Sequence, residues 1–287
     1  MGKFVICTDS ACDLNTELLK SLGVEFVELT FRFDGEEGEY KNYAMSADEF
    51  YGRMKKGGTA KTAAINTAEF VSKFSEILDT GADVLYLGFS SGLSTTYNSA
   101  RLAANELHAR YADRKIEVID TLAASCGQGL LVYLACEKKN EGATLEEVAE
   151  YVKGLVPHLC HWFTVDDLVY LKRGGRVSPT VAFVGNLLGI KPVMHVDDAG
   201  HLVNVTKARG RKNAIATLAD KYGESALDKA GIAFISNAAC EDDANALADM
   251  LKERYGATVK YIENVGPVIG AHAGPGTLAL FFVGDKK

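Results

Sequence analysis

The chain has 287 residues, 47% of them hydrophobic, and a formal net charge of −7. That length allows one large or two ordinary domains with a substantial core, and the acidic balance speaks against non-specific nucleic-acid binding. No apolar run approaches the roughly 20 residues of a membrane-spanning helix, so no integral membrane segment is expected. The N-terminus MGKFVICTDS runs straight into a strand, without signal-peptide layout. The cysteines Cys7, Cys12, Cys126, Cys136, Cys160 and Cys240 form no CxxC pair and mostly sit in apolar contexts. That pattern suits reduced thiols and a cytoplasmic location. His158, Cys160 and His161 match no standard ligand spacing, so no metal is expected.

Taken in chain order, the first half alternates strand and helix. KFVICTD (3–9) reads as a strand, DLNTELLKSLG (13–23) as a helix with Asp13 near its start, and VEFVELTF (24–31) as an alternating strand. Asp9 and Ser10 are expected to cap the helix that follows them. SADEFYGRMKKGG (46–58) opens with the Ser46/Glu49 spacing of a capping box. TAKTAAINTAEF (59–70) reads as a polar loop before a helix capped by Thr67. Thr62 has no such local role there and is the better ligand candidate. The strand DVLYLG (83–88), a helix from about Leu93 to Arg110, the strand KIEVID (115–120) and helices near 122–140 and after Thr144 complete a parallel-sheet α/β/α pattern.

The rhythm changes after residue 155. HWFTVDD (161–167) reads as a strand, and 191–209 as two antiparallel strands joined at Asp198-Ala199-Gly200. GIAFISNA (231–238) and TVKYIENV (258–265) bracket a helix over 241–255, and TLALFFVG forms a final strand. The expected architecture is an N-terminal parallel-sheet α/β/α domain over 1–155 and a C-terminal α+β domain with a largely antiparallel sheet over 156–287. No linker-like segment separates them, and ligands often lie at such boundaries.

The strand 83–88 empties into FSSGLSTTYNSA (89–100), where Ser90, Ser91, Ser94, Thr95 and Thr96 crowd the start of a helix. Helix N-termini carry unpaired N–H groups and a partial positive charge, so hydroxyls there suit an anion such as a carboxylate or phosphate. Simple N-capping is the competing explanation. GFSSG (88–92) also matches the nucleophile-elbow pattern around Ser90, with Asp120, Asp166 and His272 following in the order a serine hydrolase needs. In GPVIGAHAGPGTLALFF (266–282), glycines flank His272 and permit close backbone approach to a ligand. The basic clusters LKRGGRVS (171–178) and TKARGRK (206–212) are either solvated surface or sites that meet an acidic partner or a phosphate donor.

TDSACDL, SSGLSTTYNSA, VDDLVYLKRGGRVS, LLGIKPV and GPVIGAHAGPGTLALFF occur in one order along the chain. In this the whole sequence resembles the DegV family of bacterial fatty-acid-binding proteins. The resemblance implies two domains with one long-chain fatty acid, such as palmitate, in a tunnel between them and no other cofactor. The second domain would close over the acyl chain. The carboxylate would be held by Thr62 and Ser94, with Ser91 competing and His272 nearby. A separate fatty-acid kinase would phosphorylate that carboxylate, and Arg173, Arg176, Arg209 and Arg211 would be candidates for docking it. The protein would then be a carrier and not an enzyme. The sequence departs from the family pattern at KTAAIN (61–66), where KTSQPS is common, and at LSTTY, where Thr95 replaces glycine. Thr95 is expected to narrow the head-group pocket.

Overall fold

A computed structural model describes residues 3–177 and 189–287. Ser178 and Leu187–Leu188, at the ends of two of the motifs above, lie outside the described residues. The first half runs β1 (Phe4–Asp9), α1 (Thr16–Ser21), β2 (Glu25–Val27), β3 (Thr30–Phe33), β4 (Tyr40–Lys41), α2 (Ala47–Lys55), β5 (Ala60–Ala63), α3 (Thr67–Leu78), β6 (Asp83–Gly88), α4 (Thr96–His108), β7 (Ile116–Asp120), α5 (Cys126–Asn140) and α6 (Leu145–Leu155). The second runs β8 (Leu159–Thr164), α7 (Val169–Arg173), β9 (Ile190–Val196), β10 (Leu202–Arg209), α8 (Arg211–Ser225), β11 (Ile232–Asn237), α9 (Glu241–Tyr255), β12 (Thr258–Asn264), α10 (Pro267–Ala273) and β13 (Leu278–Val283).

The first sheet has the order β2-β1-β6-β7 and is parallel throughout. The second has the order β10-β9-β8-β13-β11-β12 and is antiparallel except for β11 and β12, which α9 links as a βαβ unit. This is the mixed α/β architecture expected from the alternation of elements.

A third, antiparallel sheet, β4-β3-β5, was not expected. The segment 24–31 does not form one strand, because Leu29 leaves the ladder. Its N–H donates to Ser10 Oγ and its carbonyl accepts from Asn42 N–H. The chain therefore passes from β2 in one sheet to β3 in another. The stretch expected as a polar loop before α3 supplies β5, which pairs with β3 and places Thr62 opposite Phe31.

Two helix starts also differ from expectation. α1 begins later than residue 13: Asp13 lies ahead of it at a left-handed φ of 51°, and Asn15 caps it. Asn66, not Thr67, caps α3 through a full capping box with Glu69. Thr144 and Glu147 form a full capping box at the start of α6.

Helix α5 is the keystone. Residues 126–132 of it are all buried, and it contacts strands of both large sheets. A helix apolar on all sides belongs inside a protein. One core cluster accordingly holds Ile6 and Leu85 from the first sheet, Leu130 from α5, and Phe234 and Phe281 from the second. Gly127 makes the close approach possible, because a Cβ there would fall 2.3 Å from His161 Nε2.

Candidate functional site

A cavity of about 360 Å³ opens between these layers, lined from both halves of the chain. Its apolar wall includes Leu29, Phe89, Phe163, Leu171, Val268 and Phe281. That volume lies within the roughly 300–1,000 Å³ of ordinary small-molecule sites.

Its polar groups are concentrated where β5, the serine-rich turn, the turn after α7 and α10 meet. Thr62 Oγ1 lies 2.8 Å from His272 Nε2. The other ring nitrogen, Nδ1, is buried without a partner among the described residues. It faces Gly174, where a Cβ would stand 2.1 Å from it, so glycine is the residue that lets the ring sit there. Burial, with the Arg176 guanidinium as a second cause, lowers the His272 pKa to about 4. The ring is therefore neutral at neutral pH. Arg176 donates from Nε and Nη2 to the Leu93 carbonyl at 3.2 and 3.0 Å, and from Nη1 to the Gly174 carbonyl. Among the described residues, then, its partners are backbone carbonyls and not carboxylates. A half-buried cation, a neutral imidazole and free hydroxyl capacity meet in an otherwise apolar space.

The serine-rich turn divides its hydroxyls between structure and cavity. Asp9 anchors it from below. One carboxylate oxygen caps the turn at Ser10–Cys12 by accepting from Ala11 N–H, and the other accepts from Tyr86 O–H at 2.6 Å and Phe89 N–H at 3.0 Å. Ser90 is buried and donates to the Gly200 carbonyl at 2.9 Å, fixing the β9–β10 turn against the first half. Ser94 lines the cavity, accepts from Thr96 N–H at 3.2 Å and lies 2.9 Å from the Thr96 hydroxyl. Ser91 and Thr95 also line the cavity but stay exposed.

All four residues expected at the carboxylate, Thr62, Ser94, Ser91 and His272, thus border one cavity. The four arginines expected at a docking surface separate. Arg173 and Arg209 are exposed. Arg176 turns into the cavity instead. Arg211 is paired with Asp243 at 2.7 Å and Asp166 at 3.7 Å. The four groups of the hydrolase alternative occupy separate networks. Ser90 bonds Gly200, Asp120 accepts from Ser91 and Leu122 N–H, Asp166 pairs with Lys191, and His272 bonds Thr62.

Sequence reading missed Arg176 as a cavity residue, and also Ser125, His161 and Ser236, which line another wall. The Gly174-Gly175 pair before Arg176 was the available signal, since it permits the tight turn that folds the guanidinium inward. No local pattern marks the other three.

The family model described as "Uncharacterised protein, DegV family" matches residues 3–285. The chain belongs to the DegV family. A DegV domain-containing protein of Clostridium perfringens is 42% identical over 100% of this chain and 99% of its own length. Among solved structures, a DegV family protein from Thermus thermophilus, described by its fatty acid binding, superposes with a TM-score of 0.88 at 30% identity, covering 97% of this chain and 98% of that one. A DegV lipid-binding protein from Thermotoga maritima gives 0.86 at 30% identity, with 99% of each chain covered. DegV of Bacillus subtilis, a fatty acid binding protein, gives 0.84 at 27% identity, over 98% of this chain and 99% of that one. Among the described residues, no helix is long and apolar enough to cross a membrane.

Proposed function

We propose that this DegV chain is a cytoplasmic carrier that binds one long-chain fatty acid in the cavity, with no catalysis of its own. The observation that carries the reading is the meeting of Thr62, Ser94, His272 and Arg176 in an apolar space. In it Arg176 supplies positive charge with no carboxylate paired to it among the described residues. An acyl chain gains about 0.8 kcal/mol for each methylene taken from water. Its carboxylate loses hydration on entry and needs charge-assisted hydrogen bonds in exchange. Thr62 and Ser94 donate those bonds, and Arg176 adds the field. His272 Nε2–H can donate to Thr62 Oγ1, which leaves the threonine hydroxyl free to donate to the ligand. No metal or cofactor is required by this arrangement.

Residues 1–155 would carry the hydroxyls of the head-group site, Thr62 and Ser94, and 156–287 would add His272 and Arg176 and cover the acyl chain. The fatty-acid binding described for the Thermus and Bacillus proteins, and the lipid binding described for the Thermotoga protein, support the choice of ligand. Presentation of the carboxylate to a separate fatty-acid kinase, for acyl-phosphate formation, is the downstream step that the family resemblance suggests. Exposed Arg173 and Arg209 are available to an acidic face of such a partner. The test is titration of the delipidated chain with palmitate and with its methyl ester. Palmitate is expected to bind at least about tenfold more tightly, the value of a charge-assisted hydrogen bond. Equal affinity for the two, or none for either, would overturn the reading.

A further inference from the structure

The cavity has a polar end and a far end, and β13 with the residue before it runs from one to the other. Side chains two apart on a strand share a face. Thr277, Ala279 and Phe281 are so spaced, and all three border the cavity. Thr277 stands at the polar end, with its hydroxyl 2.9 Å from the carbonyls of both Ala273 and Gly274, directly after His272. Phe281 is four residues on, a distance on the order of 13 Å along a strand. The next residue on that face, Val283, and its cross-strand partner Leu159 do not border the cavity. Along β13 the lining therefore ends at Phe281.

The middle of this wall is small and its end is large. Ala279 pairs with Ser236 on one side and with Phe163 on the other, so two small side chains lie together and leave depth above them. Phe281 pairs with His161, and the two rings meet edge to face at 5.4 Å and 89°. The backbone of α5 lies close behind both. A Cβ on Gly127 would fall 2.8 Å from Phe281 Cδ1 and 2.3 Å from His161 Nε2. His161 is held in turn by its Nδ1, which lies 3.2 Å from the Leu159 carbonyl. Phe281 is thus a buried ring braced by a helix backbone and by a second ring. In a close-packed interior such a side chain has no room to retreat.

We propose that Phe281 is the end stop for the acyl chain and sets the longest chain the cavity accepts, while Ala279 provides the depth in front of it. The proposal rests on the fatty-acid reading above and specifies ligand length within it. A chain that ends short of the ring leaves apolar wall unfilled. A chain that is too long must buckle, or hold its carboxylate short of Thr62 and Ser94. Affinity should therefore rise about fourfold with each added carbon while the chain extends toward the ring, and stop rising once it arrives.

The experiment is competition titration of the delipidated full chain with saturated, unbranched acids from decanoate to eicosanoate, each below its micelle concentration. The unaltered protein is expected to show one break in the series. In Phe281→Ala the break should move about three carbons longer, because losing the ring frees on the order of 4 Å and an extended chain advances about 1.3 Å per carbon. In Ala279→Leu, which adds volume on the cavity side, it should move at least one carbon shorter. If Phe281→Ala does not fold, Phe281→Leu is read in its place, with a shift of at least one carbon. A series without a break, or a break that keeps its length in either the Phe281 or the Ala279 variant, would overturn the proposal. Failure of every acid to bind the unaltered protein would instead sink the fatty-acid reading, and this inference with it.

Discussion

Thr62→Val keeps the shape of the side chain and removes one hydroxyl, so it isolates what that group does. In the unliganded protein Thr62 is the partner of His272 Nε2 at 2.8 Å, while Nδ1 has none among the described residues. The substitution leaves both nitrogens of a buried ring unpaired. An orphaned buried polar group costs about 1–3 kcal/mol, and a domain of this size loses roughly 2–4 °C of Tm for each kcal/mol. On the proposed reading Thr62 donates to the ligand carboxylate, and a hydrogen bond to a charged group contributes about 1.5–3 kcal/mol. That converts to a dissociation constant roughly 10- to 150-fold weaker. Calorimetric melting and competitive fluorescence titration with palmitate read the two effects separately. A drop in Tm with unchanged affinity would refute the head-group assignment and leave Thr62 a structural residue.

Ser94→Ala should weaken palmitate binding by a similar factor. Ser90→Ala should chiefly cost stability, about 1–3 kcal/mol, because it strands the Gly200 carbonyl. Covalent labelling of Ser90 by a fluorophosphonate would contradict that structural role and revive hydrolase chemistry. Gly174→Ala places a Cβ 2.1 Å from His272 Nδ1. The ring must then move off Thr62, and affinity should fall as far as in Thr62→Val, which titration of the two variants side by side checks. Two buried groups titrate in opposite senses. His272, held down to about 4, is neutral in the native state, so its contribution is complete above the ordinary histidine pKa of about 6.5 and is lost as pH falls from there toward 4. Asp13, pushed up to about 7 by burial, keeps its proton in the native state, so its contribution is present near pH 4 and is lost as pH rises through 7. Denaturant unfolding across this range should therefore show a steeper loss on acidification in Asp13→Asn than in the unaltered protein, and a shallower one in His272→Asn. Parallel profiles would contradict both assignments.

Periodicity made most of this fold legible. The strand DVLYLG, the Thr144 capping box and the β9–β10 turn are each specified by residues close together in sequence. What stayed hidden depends on distant partners. The break at Leu29 arises because Ser10 and Asn42 take its backbone groups, and nothing in VEFVELTF announces them. β5 exists because β3 pairs with it, although TAKTAA has little strand character of its own. The candidate site divides in the same way. Hydroxyls crowded into one turn and glycines around His272 are local signals, and they pointed to residues that border one cavity. Arg176 looked like one more surface cation, because only the turn at Gly174-Gly175 sends it inward. Ser125, His161 and Ser236 come from two strands and a helix start, and only the tertiary packing brings them to one wall.

Whether this chain holds a fatty acid is read from native mass spectrometry of the purified protein, followed by organic extraction and identification of what is released. The expected result is a stoichiometric non-covalent adduct, one fatty acid per chain, that is lost on delipidation and restored by added palmitate. A clean apo mass that added fatty acid does not shift would contradict it.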